Sequence, residues 1–131
     1  MGVISNFWGP YLWVFLHSVS MNYEDKPSSL DMTNMFNFMI SLENIIPCKI
    51  CREHYSKLMK VGSKKDNILP LSIHVLKDRK TFVKYIYDIH NYVNKYKPIE
   101  NNEKRINPPS IKSVVEFYNS KLSIGSKKLN I

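Results

Sequence analysis

Apolar residues recur along nearly the whole chain with the period of an α-helix, and no stretch alternates long enough to make a strand. Trp8, Leu12, Phe15, Leu16 and Val19 fall at i, i+4, i+7, i+8 and i+11, predicting a helix over 8–21. Pro10 would then sit in the first turn, where N–H groups have no helical partner. Ser28 can cap a second helix, with Asp31 near the positive end of its dipole. Met32, Met35, Phe36, Met39, Leu42 and Ile46 mark its buried face, the methionines acting as core filler. Pro47 is expected at the first position of a third helix, Cys48 to about Lys60, anchored by Tyr55, Leu58 and Met59. A fourth runs over 78–96, with Phe82, Tyr85, Ile86, Ile89 and Val93 on one face, and Pro98 ends it. After Pro108, Pro109 and Ser110, a short fifth helix carries Ile111, Val114, Val115 and Tyr118. Residues 61–71 read as a polar loop, and 72–77 as an extra turn or irregular chain. The fold class is all-α, a four-helix up-down bundle with a short fifth helix.

Length and composition narrow this further. The 131 residues suit one domain, expected over 1–122 and followed by a frayed basic tail over 123–131. A hydrophobic share of 44% excludes a wholly disordered chain, and two cysteines exclude a disulfide-rich scaffold. The longest apolar run, Phe7 to Leu16, is far short of the roughly 20 residues of a spanning helix, so no transmembrane segment is expected. Charge is lopsided. Residues 1–55 carry three basic and five acidic groups, whereas 56–131 carry sixteen against six. That second half either meets an anionic partner or is a lysine-rich solvated face.

Chemistry concentrates at Pro47-Cys48-Lys49-Ile50-Cys51-Arg52-Glu53-His54. Two cysteines at i and i+3 can close a small disulfide. The helix N-terminus, Lys49 and Arg52 would all favour the thiolate, the species that performs thiol–disulfide exchange. Two other readings stand beside this one. Cys48, Cys51, His54 and one more histidine could hold zinc, although closed sites usually show a second tight ligand pair and none exists here. The cysteines could also be inert and buried. Elsewhere His17 shares a helix face with Trp13, and His90 shares one with Asn94, Asn91 lying beside it. Polar side chains set among aromatics would line a slot with directed donors, the anatomy of a cofactor site.

These motifs together resemble the Erv/ALR-type FAD-linked sulfhydryl oxidases. Trp8-Gly9-x-x-x-Trp13-x-x-Leu16-His17 resembles that family's opening W-G-x-x-x-W-x-x-L-H. Pro47-Cys48-x-x-Cys51-x-x-His54 resembles its P-C-x-x-C-x-x-H. Arg79-x-x-Phe82, then His90-Asn91-x-Val93-Asn94 and Lys97-Pro98, resembles its R-x-x-F, H-N-x-V-N and K-P. The compact length is most similar to the viral members. Tyr85 stands where the family commonly has a tryptophan, and the 61–77 loop is longer than in compact relatives.

The resemblance implies FAD held within the bundle, contacted by Trp8, Gly9, Trp13, His17, Cys51, His54, His90, Asn91, Val93 and Asn94. Either Lys95 or Lys97 would face the pyrophosphate, and either Phe117 or Tyr118 the adenine. It implies catalysis by Cys48 and Cys51, with substrate thiolate attacking Cys48, Cys51 nearest the flavin, and O2 reduced to hydrogen peroxide. No metal is implied. The implied substrate is a thiol protein, a small thioredoxin-like or glutaredoxin-like Cys-x-x-Cys protein, since no relay cysteines are present to reach others. A homodimer through the first two helices is implied too, as is host cytoplasm or virion for a viral member. The rival reading is a zinc-stabilised or basic helical module that contacts nucleic acid. Against it, no helix-turn-helix signature or basic stripe with stacking aromatics is evident.

Overall fold

A computed structural model describes residues 5–97, 107–123 and 125–131. Five helices follow in order: α1 (Ser5–Met21), α2 (Ser29–Ile45), α3 (Lys49–Val61), α4 (Arg79–Tyr96) and α5 (Ile111–Asn119). Among the described residues the only extended pairing is a lone antiparallel bridge between Ser63 and Ile68. The architecture is the expected all-α bundle. α1 packs along α4, α2 along α3, and the short α5 lies against α1.

Side-chain caps set the starts of α2 to α5. Ser28 accepts the Asp31 N–H and Asp31 accepts the Ser28 N–H, a reciprocal capping box. Cys48, Asp78 and Ser110 each accept an N–H three residues on. Pro47 therefore precedes the cap instead of occupying the first helical position. α1 also differs from the sequence expectation. It begins at Ser5, which puts Pro10 inside the helix.

The main core joins Leu16, Met39, Leu42, Ile46, Leu58, Met59, Phe82, Tyr85, Ile86 and Ile89. Met32, Met35 and Phe36 pack on its margin, so the methionine face of α2 is core filler. Phe15 and Val93 were expected on buried faces and are instead 55% and 37% exposed. The 61–77 segment is more than a polar loop, because Ile68, Leu71, Val75 and Leu76 bury into the core. One irregular turn at 72–76 and the Tyr23 hydroxyl, which donates to the Leu76 carbonyl at 2.7 Å, hold it there. Gly62 caps α3 at φ +66°, and a Cβ there would strike the Ile68 carbonyl.

A second, smaller core gathers Met21, Val83, Val115 and Leu129, with Ile111 and Tyr118 beside it. Leu129 is only 7% exposed, so the C-terminal segment is docked at this point where fraying was expected. Pro98 and the adjoining connection lie outside the described residues.

Candidate active site

Cys48 and Cys51 form a disulfide with Cα atoms 5.2 Å apart. As the cap of α3, Cys48 points its Sγ at the first amides, and the Cys51 N–H reaches it at 3.3 Å. Once the bond is reduced, that amide and the positive end of the helix favour the Cys48 thiolate. Arg52 was expected to add a cation for the sulfurs. Its guanidinium donates to the Ile46 carbonyl at 2.7 Å, the same carbonyl that accepts the Cys48 N–H. Both cysteines are half-buried and pack on the core that Trp8, Leu12, Trp13, Tyr55 and Tyr92 also touch. On the solvent side Ile45 and Ile50 flank the disulfide in sequence, each 64% exposed.

α1 and α4 bring two histidines together. His17 Nε2 and His90 Nδ1 share a hydrogen bond of 2.9 Å. Trp13 stacks on His90 with ring centroids 4.2 Å apart, and Tyr118 of α5 stacks on His17 at 5.1 Å. Burial pulls each histidine down from its usual value to about 4. For His90 the neighbouring His17 and the Lys97 charge push the same way. Both rings are therefore neutral near pH 7, so one can donate and the other accept. Burial also raises the Tyr118 phenol.

A cavity of about 290 Å³ opens beside this pair. His17, His90, Asn91, Asn94, Phe117 and Tyr118 line it, together with Tyr87, Pro109, Ser113 and Val114. The sequence reading missed the last four. Tyr87 was within reach, since it precedes His90, Asn91 and Asn94 by three, four and seven residues and so shares their face. Its hydroxyl donates to the Pro109 carbonyl, linking α4 to the approach to α5.

Other expected site residues lie apart from the cavity. His54 is exposed on α3 and does not line it. Lys95 is ion-paired to Asp66 at 2.9 Å, where Tyr96 and Ser63 also donate. Lys97 is the lysine whose charge is felt at His90. Trp8 and Gly9 sit half-buried in α1, and among the described residues no heavy atom beyond its chain neighbours and the helix's own backbone comes within 4 Å of a Cβ built on Gly9. Among the described residues no three His, Cys, Asp or Glu side chains gather to hold a metal ion, so the zinc reading finds no ligand set. No helix among them is long and apolar enough to cross a membrane.

The model of the Erv1 / Alr family matches residues 10–111. A protein of Acanthamoeba polyphaga mimivirus, named "Probable FAD-linked sulfhydryl oxidase R368", is 32% identical over 120 residues, covering 85% of this chain and 79% of that one. The Arabidopsis thaliana FAD-linked sulfhydryl oxidase ERV1 is 22% identical over 87 residues, covering 66% of this chain and 40% of that one. The crystal structure of the yeast Erv1 core superposes with a TM-score of 0.62 at 18% identity, covering 95% of this chain and 88% of that one.

Proposed function

The chain belongs to the Erv1 / Alr family, and on that premise we propose that it is an FAD-dependent sulfhydryl oxidase that forms disulfides in thiol substrates and delivers the electrons to O2. The observation that carries this reading is the Cys48–Cys51 disulfide, formed at the N-terminus of α3 and backed by the aromatic core of Trp8 and Trp13.

The residues present fit the cofactor. Trp13, His90, His17 and Tyr118 offer ring faces for planar ring systems. Asn91 and Asn94 offer amides for polar ring edges, and Lys97 offers the positive charge for a pyrophosphate. Gly9 adds an independent sign. A glycine inside a helix costs about 1 kcal/mol relative to alanine, yet no described residue packs closely enough to require one here. A close-lying ligand would. Of the two lysines we assign Lys97 to the phosphates, because its charge is felt at His90, a residue of the cavity wall. Of the two aromatics we assign Tyr118 to the ring contact, since it already stacks on His17 whereas Phe117 is 54% exposed.

Turnover then begins with substrate thiolate attacking Cys48 Sγ. The Cys48–Cys51 bond breaks and Cys51 leaves as thiolate. A second substrate thiol attacks the mixed disulfide, so that substrate leaves oxidised and Cys48 is freed as a thiolate held by the Cys51 N–H. Bound FAD would supply the two-electron acceptor between this dithiol and oxygen, which is reduced to hydrogen peroxide. The exposed Ile45, Lys49 and Ile50 around Cys48 suit a small protein carrying its own Cys-x-x-Cys. Phe7, Tyr11, Val14 and Phe15 leave one face of α1 apolar and 53–73% exposed, which suits a homodimer formed by packing.

The deciding experiment is turnover of purified protein with a dithiol. Wild type should be yellow, release flavin on denaturation and generate peroxide. Cys51→Ser should keep its flavin and produce no peroxide. Undiminished peroxide from Cys51→Ser would overturn the assignment, and a colourless wild type would overturn the cofactor.

A further inference from the structure

α5 forms one wall of the cavity through Ser113, Val114, Phe117 and Tyr118. With only nine residues it is shorter than the roughly 12–15 that an isolated helix needs, so tertiary contacts must hold it. Val115 is its one fully buried residue, and it packs in the small core with Met21, Val83 and Leu129. Leu129 therefore closes this core from the C-terminal side.

Polar contacts fix the same segment at two points. Asn119, the last residue of α5, donates its Nδ2 to the Leu129 carbonyl at 2.8 Å and accepts the Leu129 N–H on Oδ1 at 3.1 Å. This doubled contact is directional and satisfies the backbone of one residue completely. Arg79, the first residue of α4 and 8% exposed, donates from Nη1 to the Lys127 carbonyl at 3.2 Å. Its Nη2 pairs with Asp25 at 3.0 Å, so the arginine is itself held from the α1–α2 connection. Residues 127–129 thus bridge the start of α4 to the end of α5. Both cysteines of the chain lie in the Cys48–Cys51 disulfide, so no covalent link shares this task.

We propose that Arg79, Asn119 and Leu129 are positioning residues that use the C-terminal segment as a strap, holding α5 and its Tyr118 ring against the cofactor cavity and so setting how long FAD stays bound. This rests on the FAD reading above. The strap acts through the placement of α5.

The test compares wild-type holoenzyme with Leu129→Ala and Asn119→Ala. FAD release is followed by the rise in flavin fluorescence, turnover is measured at rising added FAD, and helix content by circular dichroism. The strap predicts FAD release about tenfold faster in each variant, kcat within twofold of wild type once FAD saturates, and rescue of slow release by Leu129→Met. Release within twofold of wild type in both variants would overturn the proposal. So would a kcat that stays low at saturating FAD with helix content lost, because that marks general unfolding and not placement of α5. A wild type that binds no FAD would remove the functional reading itself, an outcome distinct from variants that leave FAD release unchanged.

Discussion

Acid should weaken this fold through its two facing histidines before it protonates the carboxylates. In the folded protein His17 and His90 titrate near 4 instead of 6.5. Between those values the unfolded chain binds more protons than the folded one, so stability falls as pH drops and is complete above about 6.5. Each pH unit inside that window costs about 1.4 kcal/mol per histidine. Going from pH 7 to pH 5 therefore costs about 2 kcal/mol for one such ring, against a typical total of 5–15 kcal/mol, and the two rings, which share a hydrogen bond, titrate as a coupled pair. Asp66, whose carboxyl the Lys95 hydrogen bond holds down, responds only below the usual carboxylate range and stays out of this window. The perturbation is His17→Phe, which keeps a ring in place and removes one titrating group. Urea unfolding at pH 7, 6 and 5 under a fixed excess of FAD gives the slope for each protein. Wild type should lose more stability than the variant between pH 7 and pH 5, by about 2 kcal/mol. Parallel pH profiles for wild type and variant would show that His17 accepts protons as freely when folded, and would refute its burial as a neutral ring.

Two further substitutions separate packing from cofactor binding. Gly9→Ala should stabilise the FAD-free protein by up to about 1 kcal/mol in thermal unfolding, while weakening FAD in a binding titration. Tighter FAD binding would remove the argument from the open space at Gly9. Lys97→Ala should raise the Kd for FAD several-fold, whereas Lys95→Ala should leave it unchanged and cost under about 1 kcal/mol of stability, since its exposed pair with Asp66 is a surface ion pair. Reversal of the two effects would exchange the assignments.

Helix type and order were readable because the apolar period is a local property, and so were the caps Ser28 and Asp31, which act within one turn. The Cys-x-x-Cys pair was legible for the same reason. What escaped the sequence was set by contacts far apart in the chain. No spacing rule joins Asp66 to Lys95, Arg79 to Lys127, or Asn119 to Leu129, yet these pairs seat Lys95 on Asp66 and tie the C-terminal segment to α4 and α5. The buried Val75 and Leu76 were hidden in the same way, in a segment whose composition reads as loop and whose burial depends on Tyr23.

The start of α1 failed for a different reason, and that failure bears on function. Pro10, tolerated in a first turn, sets the expected boundary near Trp8, whereas inside a helix it and Gly9 together cost about 4 kcal/mol relative to alanine. The helix nevertheless begins at Ser5 and carries both inside it. Packing by Trp8 and Leu12 on the core can offset that cost but cannot explain why two unfavourable residues stand there. Conflicts between local preference and the adopted fold concentrate where function constrains the chain. At Gly9 the conflict coincides with open space, in the same helix as Trp13 and His17. Gly9→Ala, which fills that space, is thus the substitution that separates a ligand's requirement from a tolerated flaw in the helix.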